Sequence, residues 1–225
     1  MHVRPINSIY RRFVEELMVE MHLLSVNVDF RYDPIYALGV VSSFDRFMQG
    51  YRPETDLTSI FNAICQALEQ DPEKYRQDAQ KLEDFAKSLS SENLLAWLSK
   101  DSGQDISGEF SEIIDAIATN PKFKYSRIFA IGLFTLLEIV GPEMVKDQQQ
   151  RTATLEQVSA ALSLPAEKMN KDLELYASNL EKMTQARQVM QDILAADRKK
   201  REQREQEKTT VTTSPSSTEE QSSAD

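Results

Sequence analysis

Residues 6–28 read INSIYRRFVEELMVEMHLLSVNV, and their spacing decides the fold class. Ile6, Ile9, Phe13, Leu17, Met21, Leu24 and Val28 recur at steps of three and four, which draws one apolar stripe along a helix. Arg11, Arg12, Glu15 and Glu16 fall on the other side, where solvent holds them. The same periodicity returns along the chain, and no segment alternates apolar and polar residues as a half-buried strand would.

Start and stop signals divide the rest. Asp33-Pro34 supplies an acidic cap and a first-turn proline for a helix through Leu38, Val41, Phe44 and Met48 that ends at Gly50. A third helix is expected from Asp56 to Gln70. Asp71-Pro72 then opens a fourth, through Tyr75, Ala79, Leu82 and Phe85. Short helices follow at Ser91–Leu98 and Glu109–Thr119, separated by a glycine-containing loop. The next runs from Ser126 until Gly141-Pro142 stops it. Thr154–Leu162 reads as one more short helix.

Pro165 opens the longest helix. Met169, Leu173, Tyr176, Leu180, Met183, Met190 and Leu194 form its seam, with Arg187 inside the series, and this spacing suits coiled-coil-like packing. From Asp197 to Lys208 nearly every residue is charged, and the end is rich in Ser, Thr and Glu. The expected organisation is therefore all-α. A compact, bundle-like helical body spans 1–164, a long C-terminal helix of the same domain spans 165–205 and packs on or projects from it, and a disordered tail fills 206–225.

Composition narrows the function. The 225 residues carry a net charge of -10, which opposes a nucleic-acid role because phosphate binding is driven by Lys and Arg. Ile128–Val140 is the most apolar stretch, but it is short of the ~20 residues needed to span a bilayer and contains Glu138. Residues 1–10 show no apolar core of a secretory signal. The single cysteine, Cys65, lies on an apolar helical face and reads as a small buried hydrophobe.

Catalytic designs find little material. His2 and His22 are the only histidines, and no phosphate-binding glycine loop or nucleophile elbow occurs. No catalytic residue, cofactor or metal ligand set is assigned. The alternative of a helical metal or pigment carrier would use Glu15, Glu16, Glu20 and His22. The segment from Thr154 to Met169 has helix-turn-helix spacing, which ordinary helix pairs also have.

Two clusters are candidate partner-binding surfaces. Phe123, Tyr125 and Arg127 combine aromatic and basic side chains in an interhelix connection, the types that dominate interface energetics. Arg187 and the run Arg198, Lys199, Lys200, Arg201 offer positive charge on the long helix. A peripheral lipid-binding role through that run is a further alternative.

Four runs resemble a known family: Arg4-Pro-Ile-Asn-Ser-Ile-Tyr-Arg-Arg-Phe-Val-Glu-Glu-Leu-Met-Val-Glu-Met-His-Leu-Leu, Tyr32-Asp-Pro-Ile-Tyr-Ala-Leu-Gly-Val-Val, Phe44-Asp-Arg-Phe-Met-Gln-Gly-Tyr-Arg-Pro and Tyr125-Ser-Arg-Ile-Phe-Ala-Ile-Gly-Leu-Phe. They are similar to the thylakoid formation protein family, described also as a photosystem II biogenesis protein of cyanobacteria and plastids, over about residues 4–200. The resemblance implies a non-enzymatic auxiliary factor, in the cyanobacterial cytoplasm or plastid stroma and peripherally associated with the thylakoid membrane. It implies as partners the FtsH membrane protease and photosystem II assembly or repair intermediates.

Overall fold

The structure is a computed structural model, and it describes residues 4–100 and 109–211. No strand occurs among the described residues. The helices are α1 (Ser8–Ser25), α2 (Pro34–Phe47), α3 (Asp56–Ala67), α4 (Pro72–Lys87), α5 (Ser91–Leu98), α6 (Glu109–Ala118), α7 (Arg127–Val140), α8 (Pro142–Lys146), α9 (Gln148–Ala161) and α10 (Ala166–Val211).

Side-chain caps set most of the starts, because the first N–H groups of a helix have no partner within it. The Asp33 carboxylate accepts from the Tyr36 N–H at 2.8 Å, and Asn7, Asp71, Ser90, Ser126 and Asp147 cap α1, α4, α5, α7 and α9 in the same way. Pro34 and Pro72 occupy the first turns predicted for them.

Contacts divide the chain into two units, residues 1–183 and 184–225. The 164/165 boundary drawn from the sequence falls just before α10, whereas the contact boundary falls inside that helix.

The first unit is organised around α2 and α7. Every residue from Ile35 to Phe44 is buried, as are Ile128–Leu133 and Thr135–Leu137. A helix apolar on all sides belongs in the middle of a protein, and α2 packs on α7 and α4 more extensively than any other helix pair does.

Two glycines set how closely α2 and α7 approach. A Cβ on Gly39 would lie 1.9 Å from the Ile128 carbonyl oxygen, and a Cβ on Gly132 would lie 1.9 Å from the Ile35 carbonyl oxygen. The backbones touch there directly. Glycine inside a helix costs about 1 kcal/mol relative to alanine, and the contact surface gained by close approach offsets it.

One contiguous apolar cluster runs from Tyr10 on α1 to Tyr176 on α10. Met169, Leu173 and Tyr176, the first half of the seam read from the sequence, are buried in it, with Leu180 and Met183 packed at its edge. Phe44 and Phe61 meet edge to face at 5.0 Å between ring centres, and the Arg76 guanidinium lies over Phe61 at 4.3 Å while gripping Asp45 at 2.7 and 2.9 Å.

Several boundaries differ from the sequence reading, among them the end of α3, at Ala67 rather than Gln70. Gly141-Pro142 does stop α7, but it also starts α8, a five-residue helix whose Val145 is buried. α9 starts at Gln148 rather than Thr154, because Asp147 caps it through the Gln150 N–H at 2.8 Å. α1 ends at Ser25, so Val28 is not part of its stripe and is 83% exposed. In the second unit α10 continues to Val211; residues 212–225, most of the expected tail, lie outside the described residues, as does most of the loop predicted before α6.

Candidate docking surfaces

The 123–127 connection is built into the body. Phe123 meets Phe129 edge to face at 5.0 Å. Tyr125 donates its hydroxyl to Asp172 Oδ2 at 2.9 Å, and Lys168 Nζ sits 5.1 Å from the centre of its ring. Arg127 Nη2 contacts Glu20 Oε2 at 2.6 Å, with both side chains mostly withdrawn from solvent. Burial, helped by the hydrogen bond to Asp172, holds the Tyr125 phenol far above its ordinary range. Arg127 thus fastens the start of α7 to α1 and Tyr125 fastens the connection to the first turns of α10, while Phe123 packs on α7 itself. Lys122 and Lys124 beside them are exposed.

This placement makes a quantitative prediction. Glu20 and Arg127 should couple by about 0.5–1.5 kcal/mol in a double-mutant cycle read by urea denaturation, more than an exposed pair would give. Single and double alanine variants whose effects simply add would show that the pair holds nothing together.

The residues considered for a metal are held apart by other partners. Glu15 pairs with Arg11 at 2.7 Å, Glu16 with Arg12 at 2.8 Å, and Glu20 with Arg127, while His22 is exposed. Among the described residues no group of three or more His, Cys, Asp and Glu side chains has metal-binding proximity. Cys65 is fully buried, and that burial pushes its thiol pKa up to about 12, which leaves it protonated and unreactive.

A half-buried polar cluster joins α2, α7 and α10. Arg46 Nη2 lies 2.6 Å from Glu138 Oε2, and the Tyr176 ring packs against Phe47 at 5.8 Å between centres. Burial raises the Tyr176 phenol pKa, and the nearby Arg46 charge opposes that rise. Glu138, the acid that interrupts the most apolar stretch of the sequence, therefore has a structural partner across the helix pair.

The apolar surface left over is concentrated. Among the described residues every large hydrophobic side chain recorded as exposed lies on α1, on the turn after it, or on α10. Val19, Leu23 and Val26 are each more than half exposed. They follow one another at i, i+4 and i+7, a row on the outer side of α1 that its C-cap Val26 completes, opposite buried Leu17, Met21 and Leu24. Sequence reasoning missed this row; its signal was three apolar residues at helical spacing that the inner stripe does not use. The ion pair between Glu20 and Arg127 brings the 123–127 connection alongside this part of α1.

On α10 the exposed set is Leu175 in the first unit and Val189, Ile193 and Leu194 in the second. Arg187 is half-buried and contacts the Thr184 hydroxyl at 2.8 Å. Arg198, Lys199, Lys200 and Arg201 are all exposed, with Arg198 Nε 2.9 Å from Glu202. No helix among the described residues is long and apolar enough to cross a membrane.

Comparison with known proteins adds what geometry does not. The family model of the thylakoid formation protein matches residues 1–205. Protein Thf1 of Trichormus variabilis is 63% identical over 199 residues, covering 88% of this chain and 85% of that protein. Protein Thf1 of Nostoc punctiforme is 60% identical over 199 residues, with the same two shares covered. The solved structure of Psb29 is similar at a TM-score of 0.76 and 44% identity, covering 89% of this chain and 92% of that one.

Proposed function

This chain belongs to the thylakoid formation protein family, and on that premise we propose that it is a non-catalytic docking factor in photosystem II assembly or repair. It binds partner proteins at the thylakoid, the FtsH membrane protease among them, through the outer face of α1. The observation that carries this reading is the row Val19, Leu23 and Val26, exposed on a helix whose opposite face is fully used by the core. Contiguous exposed apolar side chains rimmed by polar ones mark interaction sites. Here the rim includes the exposed Glu15 and Glu16 on α1.

A partner that recognises the assembled fold, and not the unfolded chain, also stabilises it by mass action. Phe123, Tyr125 and Arg127 contribute by fixing where the connection lies against α1. Arg187 supplies a second, electrostatic contact.

Affinity purification of the tagged full chain from detergent-solubilised thylakoids tests this. Co-purification of FtsH, or of photosystem II assembly intermediates, is expected, with at least a tenfold loss for Leu23→Asp, a change that leaves the core untouched. One well-placed apolar anchor at an interface contributes on the order of 2 kcal/mol. A purification that enriches neither partner, or a Leu23→Asp variant that retains them, refutes the proposal.

A further inference from the structure

The second unit contains an apolar face that the core does not use. Ala186, Val189, Met190, Ile193 and Leu194 recur at three- and four-residue steps on one side of α10, whereas Gln188, Gln191 and Asp192 take the other. Val189, Ile193 and Leu194 are each more than half exposed. Seven residues beyond Ile193 and Leu194 stand Lys200 and Arg201, which therefore continue the same side of the helix about 10 Å further along its axis.

Residues 197–201 carry four cations against the single acid Asp197, in a chain whose overall charge is -10. Positive charge is thus gathered where exposed apolar side chains end. We propose that residues 184–201 of α10 form a lipid-binding element that lies flat on an anionic bilayer surface. Val189, Ile193 and Leu194 enter the boundary between headgroups and acyl chains, and Lys200 and Arg201 reach lipid phosphates.

The chemistry fits that occupant. An interfacial helix needs an apolar face and flexible cations whose stems run along it to the headgroups. It needs no membrane-spanning apolar run, and the described residues of α10 contain none. Each Lys or Arg that an amphipathic helix holds at an anionic lipid surface contributes about fivefold in partition, and Lys200 and Arg201 are the two on the apolar side. Nucleic acid would meet the field of the acidic body without using the apolar face. This surface is separate from the α1 row and needs no protein partner, so it stands or falls independently of the docking reading.

The test is flotation of the purified full chain with vesicles of phosphatidylcholine alone or mixed with phosphatidylglycerol. The chain is expected to float with the anionic vesicles at least tenfold more than with neutral ones, and to be released at about 0.5 M salt, where charges are screened within a few ångströms. Lys200→Glu/Arg201→Glu and Val189→Ser/Ile193→Ser should each lose at least tenfold in binding, and Leu23→Ser should lose nothing. Circular dichroism and thermal melting confirm that each variant folds. Equal binding to neutral vesicles, no binding to anionic ones, or charge-reversed protein that still floats overturns the proposal. So does sedimentation showing that the face instead joins two copies, with a dimer that Val189→Ser/Ile193→Ser dissociates.

Discussion

Gly132→Ala is expected to lower stability by about 3 kcal/mol, although alanine is the better helix former by about 1 kcal/mol. The added Cβ would stand 1.9 Å from the Ile35 carbonyl oxygen, an atom of the facing backbone that no rotamer change can move aside. α2 and α7 must separate, and the greater part of each is buried, so the displacement spreads to the helices packed on them. Gly39→Ala meets the Ile128 oxygen at the same distance and should cost as much. For a domain of this size the loss corresponds to a fall of roughly 6–12 °C in Tm, read by calorimetry. The double variant should cost less than the sum, since one separation relieves both clashes. A Gly132→Ala protein as stable as the parent would mean that the helices do not cross as described.

Phe44→Ala should cost about 3–5 kcal/mol in urea denaturation, the range for removing a fully buried aromatic ring. Phe44 is 1% exposed, meets Phe61 edge to face, and has the Arg76 guanidinium 5.8 Å from its ring centre. The substitution removes the ring, opens a cavity and leaves Arg76 held only by Phe61 and Asp45. Asp45→Asn, which weakens the ion pair but keeps the ring, should cost less than about 1 kcal/mol because that pair is exposed. If the two variants were equally destabilised, the ion pair between α2 and α4 would matter as much as the aromatic packing of α2 on α3.

Much of this fold is legible in the sequence because its signals are local. Asp33-Pro34 and Asp71-Pro72 each place a cap and a fixed φ at a helix start, and both helices begin there. α8 was hidden because five residues are too few to show a period. The first turn of α9, Gln148 to Thr152, contains no apolar residue, so the helix became visible only at Leu155. Its real signal was a cap, Asp147.

The central crossing was hidden for a different reason. A helix-interior glycine looks like a weak point until the facing backbone is known, and nothing local relates residue 39 to residue 132.

The candidate surface was half legible. In the second half of α1 and at its C-cap, Met18, Val19, Met21, Leu23, Leu24 and Val26 leave few polar positions, so a helical period fits more than one stripe. The stripe read from the sequence holds Leu17, Met21 and Leu24, which are buried, but passes over Tyr10 and Val14, which are buried as well. The aromatic and basic residues of the 123–127 connection were singled out for their chemistry. The structure engages them with Phe129, Asp172 and Glu20, contacts between residues far apart in sequence that no spacing rule could supply.

The account turns on the outer row of α1 as the place where partners bind. A photo-crosslinking side chain at position 23, compared in living cells with one at exposed Gln80 on α4, tests it most directly. Discrete adducts with FtsH or photosystem II assembly proteins should form from position 23 and not from position 80. Adducts of equal yield from both positions, or from position 80 alone, would contradict it.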